Sequence, residues 1–101
     1  MKNTLLVKEI REMLEDGLFE DIKDFAESNP PDVVANFFEA LEIPEIIQIF
    51  SFIDEEIVAD IFTEFEDEVK SQLTSQMSSR QLAELLYELP ENVHTQILST
   101  L

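Results

Sequence analysis

The sequence predicts an all-α fold, a superhelical stack of short antiparallel helix pairs. Three observations carry that expectation. One pattern is spelled three times, as VVANFFEAL at 33–41, IVADIFTEF at 57–65 and QLAELLYEL at 81–89, each copy 24 residues after the last. Within a copy the apolar residues keep helical period: Val34, Ala35, Phe37, Phe38 and Leu41 fall at i, i+1, i+3, i+4 and i+7, one face of a helix. No stretch alternates at the two-residue period of a half-buried strand. A repeat of roughly 20–50 residues is the mark of an architecture in which each unit buries its apolar face on the next.

Taken in order, residues 1–29 contain two helical patterns, at 5–14 and 18–25, split at Gly17, the only glycine. They fit the 24-residue template poorly, as a terminal capping pair does. Residues 30–53, 54–77 and 78–101 then align without a gap. Ala35, Ala59 and Ala83 share a column, as do Phe38, Phe62 and Leu86, then Leu41, Phe65 and Leu89. Gln48, Gln72 and Gln96, and Ser51, Ser75 and Ser99, complete the register.

Each repeat divides into two helices. In the first repeat, Asn29-Pro30-Pro31-Asp32 reads as a helix start, and Pro44 falls where the second helix begins, because proline is tolerated in a first turn. Second helices are spaced i, i+4, i+8, as in Val69, Leu73, Met77 and again in Val93, Ile97, Leu101. Ser78 with Gln81 forms a capping-box pattern, and Pro90 opens the last helix. Connections of two or three residues make the paired helices antiparallel neighbours. Helices of about ten residues are marginal alone, so stacking supplies their stability. The expected form is armadillo- or TPR-like and right-handed, although the spacing leaves the hand open. Phe37, Phe38, Phe62 and Phe65 sit at core spacing, whereas Tyr87 shares a surface column with Glu39 and Thr63. Leu101 ends the third repeat on an apolar position with no polar cap after it, which predicts a fragment of a longer chain.

With 101 residues there is room for one domain, and 45% hydrophobic content suits a globular core. There is no cysteine, which excludes disulfides and thiolate metal sites and fits a cytoplasmic setting. The longest apolar-rich stretch, 46–53, is far too short to cross a bilayer, so no direct membrane insertion is expected. Charge is the strongest compositional signal: 23 acids against 6 bases give a net charge of −17. Between Lys23 and Lys70 there is no basic residue. Such a surface repels phosphate and disfavours nucleic acid, leaving cations and basic protein surfaces as partners.

Signals for an enzyme are missing. One glycine excludes glycine-rich phosphate loops, and His94, the only histidine, has no cysteine or second histidine to work with. It shares a column with Ile46 and Lys70 and reads as a partly exposed helix residue. No calcium-loop pattern occurs. Glu56, Asp60 and Glu64, however, are four residues apart and form an acidic ladder opposite Val58, Ile61 and Phe62. The matching positions of the next repeat are Arg80, Glu84 and Glu88, so the ladder widens into a patch. A hard divalent cation with oxygen ligands would relieve the repulsion; a plainly solvated face is the other reading of the same residues.

The stretches P-x-D-V-V-A-N-F-F-E-A-L, D-E-E-I-V-A-D-I-F-T-E-F and R-Q-L-A-E-L-L-Y-E-L-P-E-N resemble the cytosolic N-terminal domain of the MgtE magnesium transporters. L-E-D-G-L-F-E-D-I-K-D-F resembles its opening helices. The resemblance implies an all-α superhelix at the inner face of the cell membrane, followed by paired CBS domains, a connecting helix and a pore, in a homodimeric transporter. It implies a regulatory role, in which Mg²⁺ screens carboxylates between this domain and the CBS domains and so controls docking and gating. The family's acid after an alanine in the second repeat corresponds to Asp60. Its acids after the third repeat's first helix correspond to Glu91 and the neutral Asn92; Asn36, in the Asp60 column, is also neutral. The ladder and its repeat-matched neighbours (Glu56, Asp60, Glu64, Glu84 and Glu88), with Asp60 and Glu91 implied by the resemblance, give the expected site for weakly bound, regulatory Mg²⁺. A helical-repeat scaffold like that of the flagellar switch protein FliG, or a free-standing adaptor, is the alternative.

Overall fold

The computed structural model describes residues 2–100, with side chains described for residues 7–95 and 97. Eight helices follow one another, with no strand among the described residues: α1 (Lys2–Asp16), α2 (Phe19–Ser28), α3 (Pro31–Phe38), α4 (Ile43–Phe50), α5 (Glu55–Glu64), α6 (Asp67–Gln76), α7 (Ser79–Glu88) and α8 (Glu91–Thr100). The all-α expectation holds. The side chains of Leu5, Gln96 and Ser99, and the whole of Leu101, lie outside the described residues.

Helix starts repeat strictly. α3, α5 and α7 begin at Pro31, Glu55 and Ser79, and α4, α6 and α8 at Ile43, Asp67 and Glu91, a step of 24 residues in both series. Different chemistry serves the equivalent starts. At α7, Ser78 Oγ accepts the Gln81 N–H (3.1 Å) while Gln81 Oε1 accepts the Ser78 N–H (3.4 Å), a reciprocal capping box. At α4, Glu45 Oε1 accepts the Glu42 N–H at 2.8 Å. α3 relies instead on Pro31 in its first turn, where the missing N–H would have had no helical partner anyway. Asn29 closes the preceding helix: its Nδ2 donates to the Phe25 carbonyl at 2.8 Å.

Helix ends are less regular. α3 and α4 stop two residues short of their later counterparts, because the chain already tightens into i→i+3 bonds there, Ala40 N–H to Phe37 O (3.2 Å) and Phe52 N–H to Ile49 O (3.2 Å). After α1, Gly17 adopts φ +75°, with Leu18 N–H bonded to Met13 O (2.8 Å) and Gly17 N–H to Leu14 O (3.3 Å). This left-handed cap is where a side chain is strained. A Cβ there would meet nothing within 4 Å, so Gly17→Ala should cost backbone strain alone, on the order of 1 kcal/mol, read as a lower urea midpoint with an unchanged slope.

Each helix packs chiefly on its equivalent in the next repeat: α3 on α5 on α7 in one row, α4 on α6 on α8 in the other, with α1 and α2 against α3. The core runs between the rows. Val34, Phe38, Ile46, Ile49, Ile61, Phe62 and Leu73 are fully removed from water and form an apolar seam, although the Ile46 column turns polar at Lys70 and His94. Of the four phenylalanines expected in it, Phe38, Phe62 and Phe65 are buried; Phe37 is half-buried, edge-on to Phe25 at 5.6 Å between ring centroids. Tyr87 lies at the surface, 84% exposed. His94 is half-buried, and its Nε2 is cut off from water with no hydrogen-bond partner among the described residues. No described helix is long and apolar enough to cross a membrane.

A candidate cation-responsive face

Helix α5 carries the acidic ladder because its opposite side is committed to the core. Val58, Ala59, Ile61 and Phe62 are buried, which leaves Glu56, Asp60 and Glu64 exposed on the far face. The first turn is also acidic, with Glu55 and Glu56 beside unpaired helix N–H groups that stabilise negative charge. Asp60 and Glu64, one and two turns further on, lack that support.

The stacking of α7 on α5 decides which acids meet. Asp60, Thr63, Glu64 and Glu88 line one shallow hollow of about 250 Å³, bounded by Pro31 and Pro90. A second hollow, of about 580 Å³, is lined by Asp54, Glu55, Glu56 and again Glu88. Glu88 therefore stands between the two groups of acids and joins them. Glu84 turns elsewhere. It faces Arg80, 3.7 Å away within α7, and Glu55 across the helix boundary. Glu91 is exposed in the first turn of α8 and lines neither hollow.

So four of the six acids read from the sequence, Glu56, Asp60, Glu64 and Glu88, share one face, while Glu84 and Glu91 stand apart. Glu55 was missed. Loss of hydration first, then the charges of Glu84 and Glu88, hold its carboxyl above the ordinary carboxylate value, with Arg80 opposing. Its neighbour Glu56, not Glu55, stands at ladder spacing; only the packing of α7 brings Glu84 and Glu88 to Glu55.

Among the described residues, no three His, Asp or Glu side chains converge as ligands of one metal ion. The charged groups on this face are nevertheless all carboxylates, whose oxygens are the hard ligands that Mg²⁺ takes, often while keeping its water.

The family model of the MgtE intracellular N domain matches residues 19–101. The chain belongs to the MgtE intracellular N domain family. Neither a curated protein nor a solved structure matches it. The match spans α2 to α8 and leaves only α1 and the turn at Gly17 outside. It places these helices in the N-terminal domain of a magnesium-transporter family, a transporter part and not a known enzyme family. The acidic face of α5 and α7 is thus a surface of an MgtE N domain.

Proposed function

We propose that this MgtE N domain is a regulatory element at the inner face of the membrane, docking on CBS domains of its own or a neighbouring subunit in a Mg²⁺-dependent way. The observation that carries the proposal is the joining of Asp60, Glu64 and Glu56 through Glu88 on one face whose two hollows, among the described residues, are lined by no basic side chain. Mg²⁺ there supplies positive charge to acids that would otherwise confront a partner. The chain's own residues set the response: Asp60 and Glu64 present carboxylates beyond the first turn, and Glu88 extends them onto α7. Buried Val58, Ile61 and Phe62 fix their spacing, so the face meets a partner as a rigid plate. Without the cation, like charges push an acidic partner away, and the undocked arrangement is favoured.

The test uses the chain itself. Millimolar Mg²⁺ is expected to raise the Tm above that reached with NaCl at equal ionic strength, because binding adds to screening. The rise is small, since this face supplies only part of the ligand set. Asp60→Asn should remove the excess while leaving the NaCl response in place. Equal shifts from the two salts would reduce the face to a screened acidic surface.

A further inference from the structure

A separate hollow of about 400 Å³ opens where the end of α4 and the start of α5 meet α7. Its floor is apolar, made by Phe50, Ile53, Val58 and Leu85, with Met77 at one side. Its edge is charged: Glu55 and Glu84 both line it, close enough to act on each other, and Arg80 lines it as well. Arg80 engages Glu84 only loosely, at 3.7 Å, with its side chain 88% exposed. A pair held that far from its partner and that open to water contributes little and leaves the carboxylates available.

The two halves of this hollow ask for different things. A hydrated metal ion has no use for an apolar floor of this size, and an uncharged apolar ligand leaves two opposed carboxylates uncompensated. An aliphatic stem ending in a cation satisfies both, with methylenes on the floor and the charge at the rim. Arginine suits the rim better than lysine, because its planar fork can donate to two carboxylates at once. Loss of hydration and the nearby Glu84 and Glu88 already hold the Glu55 carboxyl above its ordinary value, a repulsion that an incoming cation relieves. The net charge of −17 draws a basic segment toward this surface.

We propose that this hollow receives an arginine side chain of a partner protein, its stem on Phe50, Ile53, Val58 and Leu85 and its guanidinium between Glu55 and Glu84. Arg80, long and exposed, swings aside. The contact requires neither Asp60 nor Glu64, although Glu55 also lines the neighbouring hollow with Glu56 and Glu88.

The probe is an acetylated, amidated peptide, Ala-Ala-Leu-Arg-Leu-Ala-Ala, compared with the same peptide carrying uncharged citrulline for arginine. Both are titrated into the ¹⁵N-labelled chain in about 150 mM NaCl, where long-range attraction is damped. The arginine peptide should shift the amides around Ser51, Glu55, Glu84 and Leu85 saturably. Citrulline, or Glu55→Gln with Glu84→Gln, should weaken binding about tenfold, as expected when a charge-assisted contact is lost. Arg80→Ala should bind as well as or better than the parent. Equal binding of the two peptides, shifts scattered over all the acids, or one-for-one displacement of the peptide by Mg²⁺ at these amides would overturn the proposal. The citrulline comparison needs no substitution in the protein, so it stands even if the double variant folds poorly.

Discussion

Phe62→Ala should lower the unfolding free energy by about 3–5 kcal/mol, the range for deleting a buried aromatic ring where the surroundings cannot collapse. Phe62 is fully buried, edge-on to Phe65 at 6.4 Å between centroids, in the middle repeat with α3 stacked on one side of its helix and α7 on the other. Neither neighbour can close the space without moving its own repeat. A domain of this size has only about 5–15 kcal/mol in hand, so the variant would lose much of its stability. Its column mate Leu86 is half-buried, and Leu86→Ala should cost clearly less. Urea unfolding followed by circular dichroism reads both, as midpoints at unchanged slope. A Leu86→Ala cost equal to that of Phe62→Ala would contradict the burial gradient along the column.

Glu45 should be the most sensitive charged position, because one carboxylate serves two tasks. Its Oε1 accepts the Glu42 N–H at the start of α4, and its two oxygens take the Arg11 fork at 2.8 and 2.9 Å, tying α1 to the first repeat. A lost cap costs about 0.5–2 kcal/mol. The ion pair adds about 0.2–1 kcal/mol, at the surface scale because the Arg11 side chain is 41% exposed. Glu45→Ala should therefore cost about 1–3 kcal/mol, and Glu45→Gln, which keeps the capping geometry, much less. The hydrogen bond from Arg11 holds the Glu45 carboxyl below its ordinary value of 4.5. A depressed folded value means stability present above pH 4.5 and lost as pH falls through the depressed value, so the gap between wild type and Glu45→Gln should close in acid. Glu55 runs the opposite way: with its folded value raised, the charged form is disfavoured at neutral pH and relieved as pH falls. Glu55→Gln should thus stabilise slightly near neutrality and lose that advantage in acid.

The repeat register was legible because it rests on local rules. Helix period, proline in first turns and the Ser78–Gln81 box all act within a few residues, and they place α7 and its column mates without tertiary information. The shorter ends of α3 and α4 were not legible, because residues 39–41 and 51–53 carry no glycine or proline to mark a stop. The exposed ladder on α5 followed from spacing alone. What spacing could not supply was the sideways relation of neighbouring helices. Repeat alignment put Glu84 beside Asp60, whereas packing turns it toward Arg80 and Glu55 and brings Glu88 to Asp60 and Glu64 instead. Likewise the Arg11–Glu45 fork joins residues 34 apart, and Arg11 lies outside the repeat pattern, so no periodicity announces it.

On the proposed function, the face centred on Asp60 governs Mg²⁺-dependent docking. Protease protection of the segment following this domain, titrated with Mg²⁺ in a transporter chain that carries it, tests the claim most directly. Asp60→Asn leaves the core untouched and eases repulsion from Glu56 and Glu64, so folding should change by no more than about 0.5 kcal/mol. Protection in wild type should rise with Mg²⁺, and the Asp60→Asn curve should shift to higher Mg²⁺, because one carboxylate that favours the cation has been removed. Superimposable curves for the two proteins would contradict the account and leave Asp60 on a plainly solvated face.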